Sequence, residues 1–211
     1  MTVKTFALKP IMENCYVVSE GEECAIIDCG ALLENEWAKI KRHIADNELT
    51  PKYALQTHMH FDHVYGLYFV KRDYGIGPLC HMLEEPVYEQ AGDMSRSFIG
   101  QDMNIPFPKV ERHLRDGERL SLGGKTIEVI HTPGHTPGGL CFYIEEDNIL
   151  FSGDTLFQGS IGRTDLPGGS MNMEISSITE RLLCLPEETL VYPGHGDRTN
   201  IGWEKKHNMY F

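Results

Sequence analysis

Apolar and polar residues along this chain fall into short runs whose period switches between that of a strand and that of a helix. Residues 2–8, 13–20 and 23–28 read as strands, the last of them ending at Asp28. Leu33, Trp37, Ile40 and Ile44 then recur at helical spacing, which predicts a helix over 33–46. A strand over 53–57, a helix over Val64–Tyr74, a short strand at Pro78–His81 and a helix over 83–99, broken near Gly92, complete a first round. A polar, proline-containing connection at 101–117 leads into a second. There the strands lie near 118–122, 125–130, 139–145, 148–152 and 189–192, and the main helix at about 171–184, stopped by Pro186. Strands alternating with helices imply sheets covered by helices, an α/β (α+β) fold. At 211 residues the chain is expected to form a single domain, 1–211, of two pseudo-symmetric halves at roughly 1–110 and 111–211. They repeat as pattern, not as identity.

The polar residues that interrupt this pattern carry the chemistry. The run Thr57-His58-Met59-His60-Phe61-Asp62-His63 sets three imidazoles and a carboxylate in six consecutive positions. An extended chain would point His58, His60 and Asp62 one way and His63 another, so one loop could serve two metal ions. Imidazole and carboxylate are the donors that borderline divalent metals prefer. Three later β-like runs each deliver one more candidate just past a glycine: His135 in His131-Thr132-Pro133-Gly134-His135, Asp154 in Ser152-Gly153-Asp154, and His195 in Pro193-Gly194-His195. Glycine lets the backbone turn sharply and approach an ion closely. Five histidines and two aspartates are a donor set for two metals. Two such ions a few ångströms apart can hold a bridging water and lower its pKa toward neutrality, giving a hydroxide that attacks a carbonyl. No protein nucleophile is then needed, and no GxSxG segment or cysteine in a basic setting offers one.

Composition narrows the partners. A net charge of −12 disfavours a sequence-independent grip on phosphate backbones, so no nucleic-acid partner is expected. No apolar stretch approaches the ~18 residues of a membrane span, and Met1–Tyr16, with Lys4, Lys9, Pro10 and Glu13, lacks the apolar core of a secretory signal. Six cysteines at 15, 24, 29, 80, 141 and 184 form no CxxC pair and read as reduced thiols. These features together predict a cytoplasmic protein without a membrane partner.

The ordered set HxHxDH, the histidine of TPGHTPG, the aspartate of SGDTLF and the histidine of PGHG resembles the metallo-β-lactamase superfamily. The likeness runs from Ala25-Ile26-Ile27-Asp28 to Lys205-Lys206-His207-Asn208. Within the superfamily the chain looks most like the short glyoxalase II-like (hydroxyacylglutathione hydrolase-like) enzymes, which share GDTLF and a following Gly-Arg-Thr-Asp, here Gly162–Asp165. The resemblance implies a four-layer αβ/βα sandwich with two divalent ions at one edge between the sheets, zinc first and iron or manganese as the other candidates. One ion would take His58, His60 and His135, the other Asp62, His63 and His195. Asp154 would bridge them, so that Asp62 and Asp154 are the catalytic carboxylates and Asp28 supports the histidine loop from behind. The implied reaction is hydrolysis of a small thioester, an acyl-glutathione, by the metal-bridging hydroxide.

Glyoxalase II has a lysine at the place of Arg163 that helps hold the glutathione glycine carboxylate. Arg163 could do the same, or could pair with Asp165. Lys205 and Lys206, with His207 beside them, could bind an anionic substrate or be a solvated patch. His131 reads as a structural histidine rather than a ligand; His81 follows Cys80 at a strand end, with a place near the site as the lesser alternative. The likeness weakens at the substrate end: glyoxalase II has a tyrosine two residues past its last metal histidine, where this chain has Asp197, and draws basic glutathione contacts from a C-terminal helical extension. The alternative in the same fold is a mononuclear iron persulfide dioxygenase. Those enzymes use fewer of the ligands and carry Ala-His-Asp where this chain has Gly194-His195-Gly196.

Overall fold

A computed structural model describes residues 1–100 and 106–211. Two six-stranded sheets face each other. The first runs β1 (Thr2–Leu8), β2 (Glu13–Glu20), β3 (Glu23–Ile27), β4 (Thr50–Leu55), β5 (Pro78–His81), β6 (Arg112–Leu114) in that order. β1 to β3 form an antiparallel meander because short turns join them. From β3 onward the pairing is parallel, since a helix crosses over each time. Those helices are α1 (Glu34–Asp46), the pair α2 (Phe61–Val64) and α3 (Leu67–Tyr74), and α4 (Glu85–Ile99).

The second sheet is built from β7 (Arg119–Leu122), β8 (Lys125–His131), β9 (Leu140–Ile144), β10 (Ile149–Gly153), β13 (Leu190–Pro193) and β14 (Thr199–Asn200), in spatial order β14-β13-β10-β9-β8-β7. A small hairpin of β11 (Leu156–Phe157) and β12 (Ser160–Ile161) leaves the end of β10. α5 (Met171–Ser177), prolonged by a π-helical turn at Ile178–Leu182, crosses to β13, and α6 (Ile201–His207) follows β14.

Alternation along the strands explains the layering. Tyr16, Val18, Ala25 and Ile27 meet Val129, Phe142, Ile144 and Phe151 between the sheets. Their neighbours Cys15, Val17, Cys24 and Ile26 turn the other way, under Trp37, Ile40, Phe69 and Val70 of the helices. Cys141, Tyr143 and Leu150 do the same on the far side, against Ile178, Leu182 and Ile201. Both faces of each sheet are buried, as helix-covered sheets require. This is the four-layer sandwich that the resemblance implied. No described helix is long and apolar enough to cross a membrane.

Several expected boundaries move. The helix expected at 83–99 begins as a 3₁₀ turn, Met82–Glu84, and α4 then passes Gly92 unbroken. The helix expected at 64–74 starts inside the histidine loop as α2 and restarts as α3 after Gly66, where a Cβ would strike the Cys29 thiol. The expected 171–184 helix ends at Leu182. β6 lies within the expected 101–117 connection and completes the first sheet; residues 101–105 of that connection lie outside the described residues.

Candidate metal centre

The site forms where β4, β10 and β13 end. β10 and β13 are parallel neighbours, with Gly153 opposite Pro193, so Asp154 and His195 emerge side by side. β4 ends at Leu55 in the facing sheet and releases the histidine loop toward them. The sheets approach closely here. Gly153 has φ +51°, and a Cβ on it would run into Thr57; a Cβ on Gly194 would strike Asp154 and His63.

Three donor groups result: His58, His60 and His135; His58, His63 and Asp154; and Asp62, His63 and His195. Within each, the ligand atoms lie within 4.8 Å of one another. The extended-loop expectation for Asp62 needs correcting. The loop stays extended only to His60, which precedes the single helical turn of α2. Asp62 and His63 therefore sit in that turn, and Asp62 joins His63 and His195 rather than His58 and His60. Asp154 faces both sides. Its Oδ1 is 3.5 Å from His63 Nε2, and its Oδ2 is 3.6 Å from His195 Nε2 and 3.7 Å from His135 Nε2.

The surrounding hydrogen bonds fix which ring nitrogens face the centre. Asp28, at φ +49°, accepts from the Thr57 amide at 2.8 Å and from the Thr57 hydroxyl at 2.6 Å. That hydroxyl's one hydrogen is engaged by Asp28, so its oxygen accepts from His58 Nδ1, 3.1 Å away. His63 Nδ1 lies 3.2 Å from the same Asp28 carboxylate, which can only accept. The carbonyl of Arg163 accepts from His135 Nδ1 at 2.7 Å. In His58 and His135 these contacts place the proton on Nδ1 and turn Nε2 to the centre; in His63 the Asp28 carboxylate beside Nδ1 favours the same arrangement once the ring is neutral. Nε2 of His58, Nε2 of His63 and Oδ1 of Asp154 are buried without a hydrogen-bond partner. Such orphaned atoms cost about 1–3 kcal/mol each unless something fills the space between them. A divalent cation fits that description, and the donor types suit it.

The ionisation states agree. Burial, then neighbouring histidines, holds His58 well below the ordinary imidazole value and His60 at about 3, and burial lowers His135. These three rings are neutral and carry free lone pairs at pH 7. Burial would raise Asp62, but His63 and His195 beside it bring it down to about 2. Burial would lower His63, but Asp62, Asp154 and Asp28 outweigh it and raise the ring to about 10. His195 rises as well, its burial outweighed by Asp62 and Asp154. The excess negative charge that draws protons onto these two rings is the charge a cation would neutralise.

Buried carboxylates that sequence reasoning missed hold the loops. Glu84 accepts from the amides of Met59 and Gly138, each at 2.8 Å, and so ties the two histidine loops together. Glu174 accepts from the His135 amide at 2.8 Å. The Asn14 amide group donates to the carbonyls of Pro193 and Gly196, on either side of His195. Only Glu174 had a local signal, its place in the first turn of a helix capped by Ser170.

A cavity of about 430 Å³ opens over the cluster, with His60, Asp62, His135, Asp154 and His195 at its floor. Arg163 reaches the rim, but its guanidinium is engaged by Asp165 through two contacts of 2.8 Å. The structure does not bring Lys205 and Lys206 to this cavity. They are exposed on the last turn of α6, where Lys206 pairs with Glu187 at 3.3 Å. His81 and His131 stack on each other, centroids 4.3 Å apart, outside the donor groups.

Comparison with known proteins agrees with this geometry. The family model of the metallo-beta-lactamase superfamily matches residues 8–195. The hydroxyacylglutathione hydrolase GloC of Haemophilus influenzae is 34% identical, over 100% of this chain and 98% of its own. Among solved structures, that of TTHA1623 in a di-iron-bound form superposes with a TM-score of 0.87 at 39% identity, covering 100% of both chains. The BLEG-1 B3 metallo-beta-lactamase superposes equally well, at 0.87, with 36% identity over 99% of both chains.

Proposed function

The chain belongs to the metallo-beta-lactamase superfamily, and from that premise we propose a binuclear metal-dependent hydrolase that cleaves a small thioester, an acyl-glutathione. The observation that carries the reading is the convergence of five histidines and two aspartates, with His58 Nε2, His63 Nε2 and Asp154 Oδ1 buried and unpartnered, beneath a cavity of substrate size. His58, His60 and His135 would hold one ion and Asp62, His63 and His195 the other, with the two oxygens of Asp154 turned to both. When bound, the ions supply Lewis acidity and an activated water, zinc being the first candidate and iron or manganese the others.

The chain's own part is positioning. Asp28, acting directly on His63 and through Thr57 on His58, and the Arg163 carbonyl, acting on His135, keep three rings in the tautomer that offers Nε2. Asp62 stays ionised at neutral pH, and its carboxylate lies 3.1 Å from His195 Nε2, so the two would-be ligands converge on one point. The apolar rim limits water around the reacting carbonyl. The likeness to GloC supports the acyl-glutathione assignment, and the di-iron-bound neighbour supports two ions. Free cysteines, five of them buried, fit a reducing, cytoplasmic setting.

The likeness to BLEG-1 favours a second reading, β-lactam hydrolysis. The persulfide dioxygenase reading has against it the complete second group, Asp62, His63 and His195. One experiment separates all three: metal content of the purified protein, with hydrolysis rates on acyl-glutathiones and on β-lactams and oxygen uptake with glutathione persulfide. Two ions per chain with thioester turnover is the expected result. One iron with oxygen uptake, or turnover of β-lactams alone, defeats the proposal.

A further inference from the structure

Among the described residues the cavity above the cluster is polar at its floor, with Ser160 and Arg163 the two polar residues higher up. Met94 and Phe98 from α4, Ile11 from the turn between β1 and β2, Phe157 and Ile161 from the β11–β12 hairpin and Leu166 beyond it make the walls. Arg163 is the sole cation among the described lining residues, and it is occupied. Its guanidinium holds Asp165 at 2.8 Å and lies 5.7 Å from the centre of the Phe98 ring. Phe98 in turn stacks on Phe61, centroids 5.8 Å apart. Arg163 thus props the wall rather than offering a free charge to a ligand. Phe98 nevertheless remains 48% exposed and Ile11 39% exposed. Apolar side chains left open to water around a concave site mark the place where a ligand covers them. A hydroxylated or charged acyl group laid along the apolar side chains of this wall would give up hydration without regaining it from them. A saturated chain would lose nothing.

Resting on the thioester reading, we propose that this cavity is an acyl pocket for apolar, medium-length acyl groups, with Phe98 as its specificity-determining residue. The carbonyl must reach the floor, where the donor groups lie. The acyl chain then runs along the Phe98 wall, and the charged thiol carrier extends out of the cavity into solvent. The preferred substrate is therefore a thioester such as hexanoyl- or octanoyl-glutathione rather than one of a small hydroxy acid.

The test does not depend on turnover. Acetate, butanoate, hexanoate and octanoate, the acids released by such substrates, are titrated into the protein by calorimetry, with D-lactate as the hydroxylated control. Affinity is expected to rise by about fourfold per methylene, on the order of a hundredfold from butanoate to octanoate. D-Lactate should stay with acetate. Phe98→Ala should cut the octanoate-to-butanoate ratio about tenfold, and Phe98→Leu should restore most of it. A ratio below about threefold in the unaltered protein, or lactate binding tighter than hexanoate, overturns the pocket. The second arm is kcat/KM for butanoyl-, octanoyl- and lactoyl-glutathione, expected in the order octanoyl, butanoyl, lactoyl. A steep acid series without thioester cleavage upholds the pocket and defeats the thioester reading. Cleavage of all three thioesters with a flat acid series does the reverse.

Discussion

The floor and the wall of the cavity are built by opposite rules. At the floor, buried polar atoms crowd together with lone pairs unspent, and buried carboxylates on neighbouring loops hold them in place. On the wall, Phe98 and Ile11 stand partly in water among other apolar side chains. Each breaks a rule that the core between the sheets obeys, where apolar groups are covered and the ladders are paired. The floor carries its cost as unmet hydrogen bonds, and a cation relieves it. The wall carries its cost as exposed apolar surface, and a ligand's chain relieves it. Chemistry and selectivity are thus separated in space, and they can be broken separately.

Removing the cation breaks the floor outright. Chelation is expected to abolish hydrolysis, and added Zn²⁺ or Mn²⁺ to restore it; activity that survives complete metal removal contradicts the donor assignment. Asp154→Ala should weaken binding of both ions, because its two oxygens face both groups, whereas His195→Ala should empty mainly the second. Metal counts per chain in the two variants distinguish these effects.

The proton balance sharpens the same point. Without a cation, His63 holds its proton up to about pH 10, and His195 is raised in the same direction. Metal must displace those protons, so metal affinity should increase as pH rises from 6 toward 9. Each binding event at pH 7.5 should release protons, read in weakly buffered solution with an indicator. Asp62, already ionised down to about pH 2, adds nothing to that release. Metal uptake without proton release would mean that the neutral tautomers are set differently.

A smaller effect is expected one step behind the ions. Asp28→Asn removes the charge and replaces one of the two acceptor oxygens that order Thr57, and through it His58, and that face His63. Metal affinity or kcat should fall about 10- to 100-fold while the fold persists. An effect below about twofold would show that the loop is held in register by Glu84 instead.

This division also explains what could be read from the sequence. The floor residues announce themselves: His58, His60 and His63 sit in one short loop, and His135, Asp154 and His195 each follow a strand and a glycine. Helix-covered sheets were legible in the alternation of apolar strand runs with helical spacing, and the four-layer sandwich in the resemblance carried by the histidine and aspartate motifs. The wall left no such mark. Ile11, the α4 pair Met94 and Phe98, Phe157 and Leu166 come from four separate segments, and each looks like an ordinary apolar residue until the chain is folded. Glu84 was invisible for a related reason, and Glu174 showed only its place in the first turn of a capped helix. A buried carboxylate that accepts from distant amides looks no different in sequence from a surface glutamate. β6 was missed because Arg112-His113-Leu114 is short and mostly polar, and only its pairing with β5 makes it a strand. α6 did carry a signal, Asn200 accepting from the Trp203 amide, as an N-cap does.

Arg163 is where the comparison bears hardest on substrate binding. If its guanidinium gripped a carboxylate of the thiol carrier, Arg163→Ala would remove a charge-assisted, two-pronged contact. KM would then rise tenfold to a hundredfold, corresponding to about 1.5–3 kcal/mol. The structure gives that fork to Asp165 instead, and both partners are more than half exposed. An exposed pair of this kind contributes at most about 1 kcal/mol, and a guanidinium near an exposed aromatic ring contributes about as much. Arg163→Ala should therefore raise KM by less than about tenfold. The change should be equal for neutral and carboxylate-bearing thioesters, and larger for long acyl chains than for short ones, because the loss is felt through Phe98. Asp165→Asn supplies the converse. With its fork released, Arg163 becomes free to meet an anion, and KM for carboxylate-bearing thioesters should fall while that for neutral ones stays constant. A large, carboxylate-selective rise in KM for Arg163→Ala would show that substrate pulls Arg163 away from Asp165, and would move the anion site onto the wall.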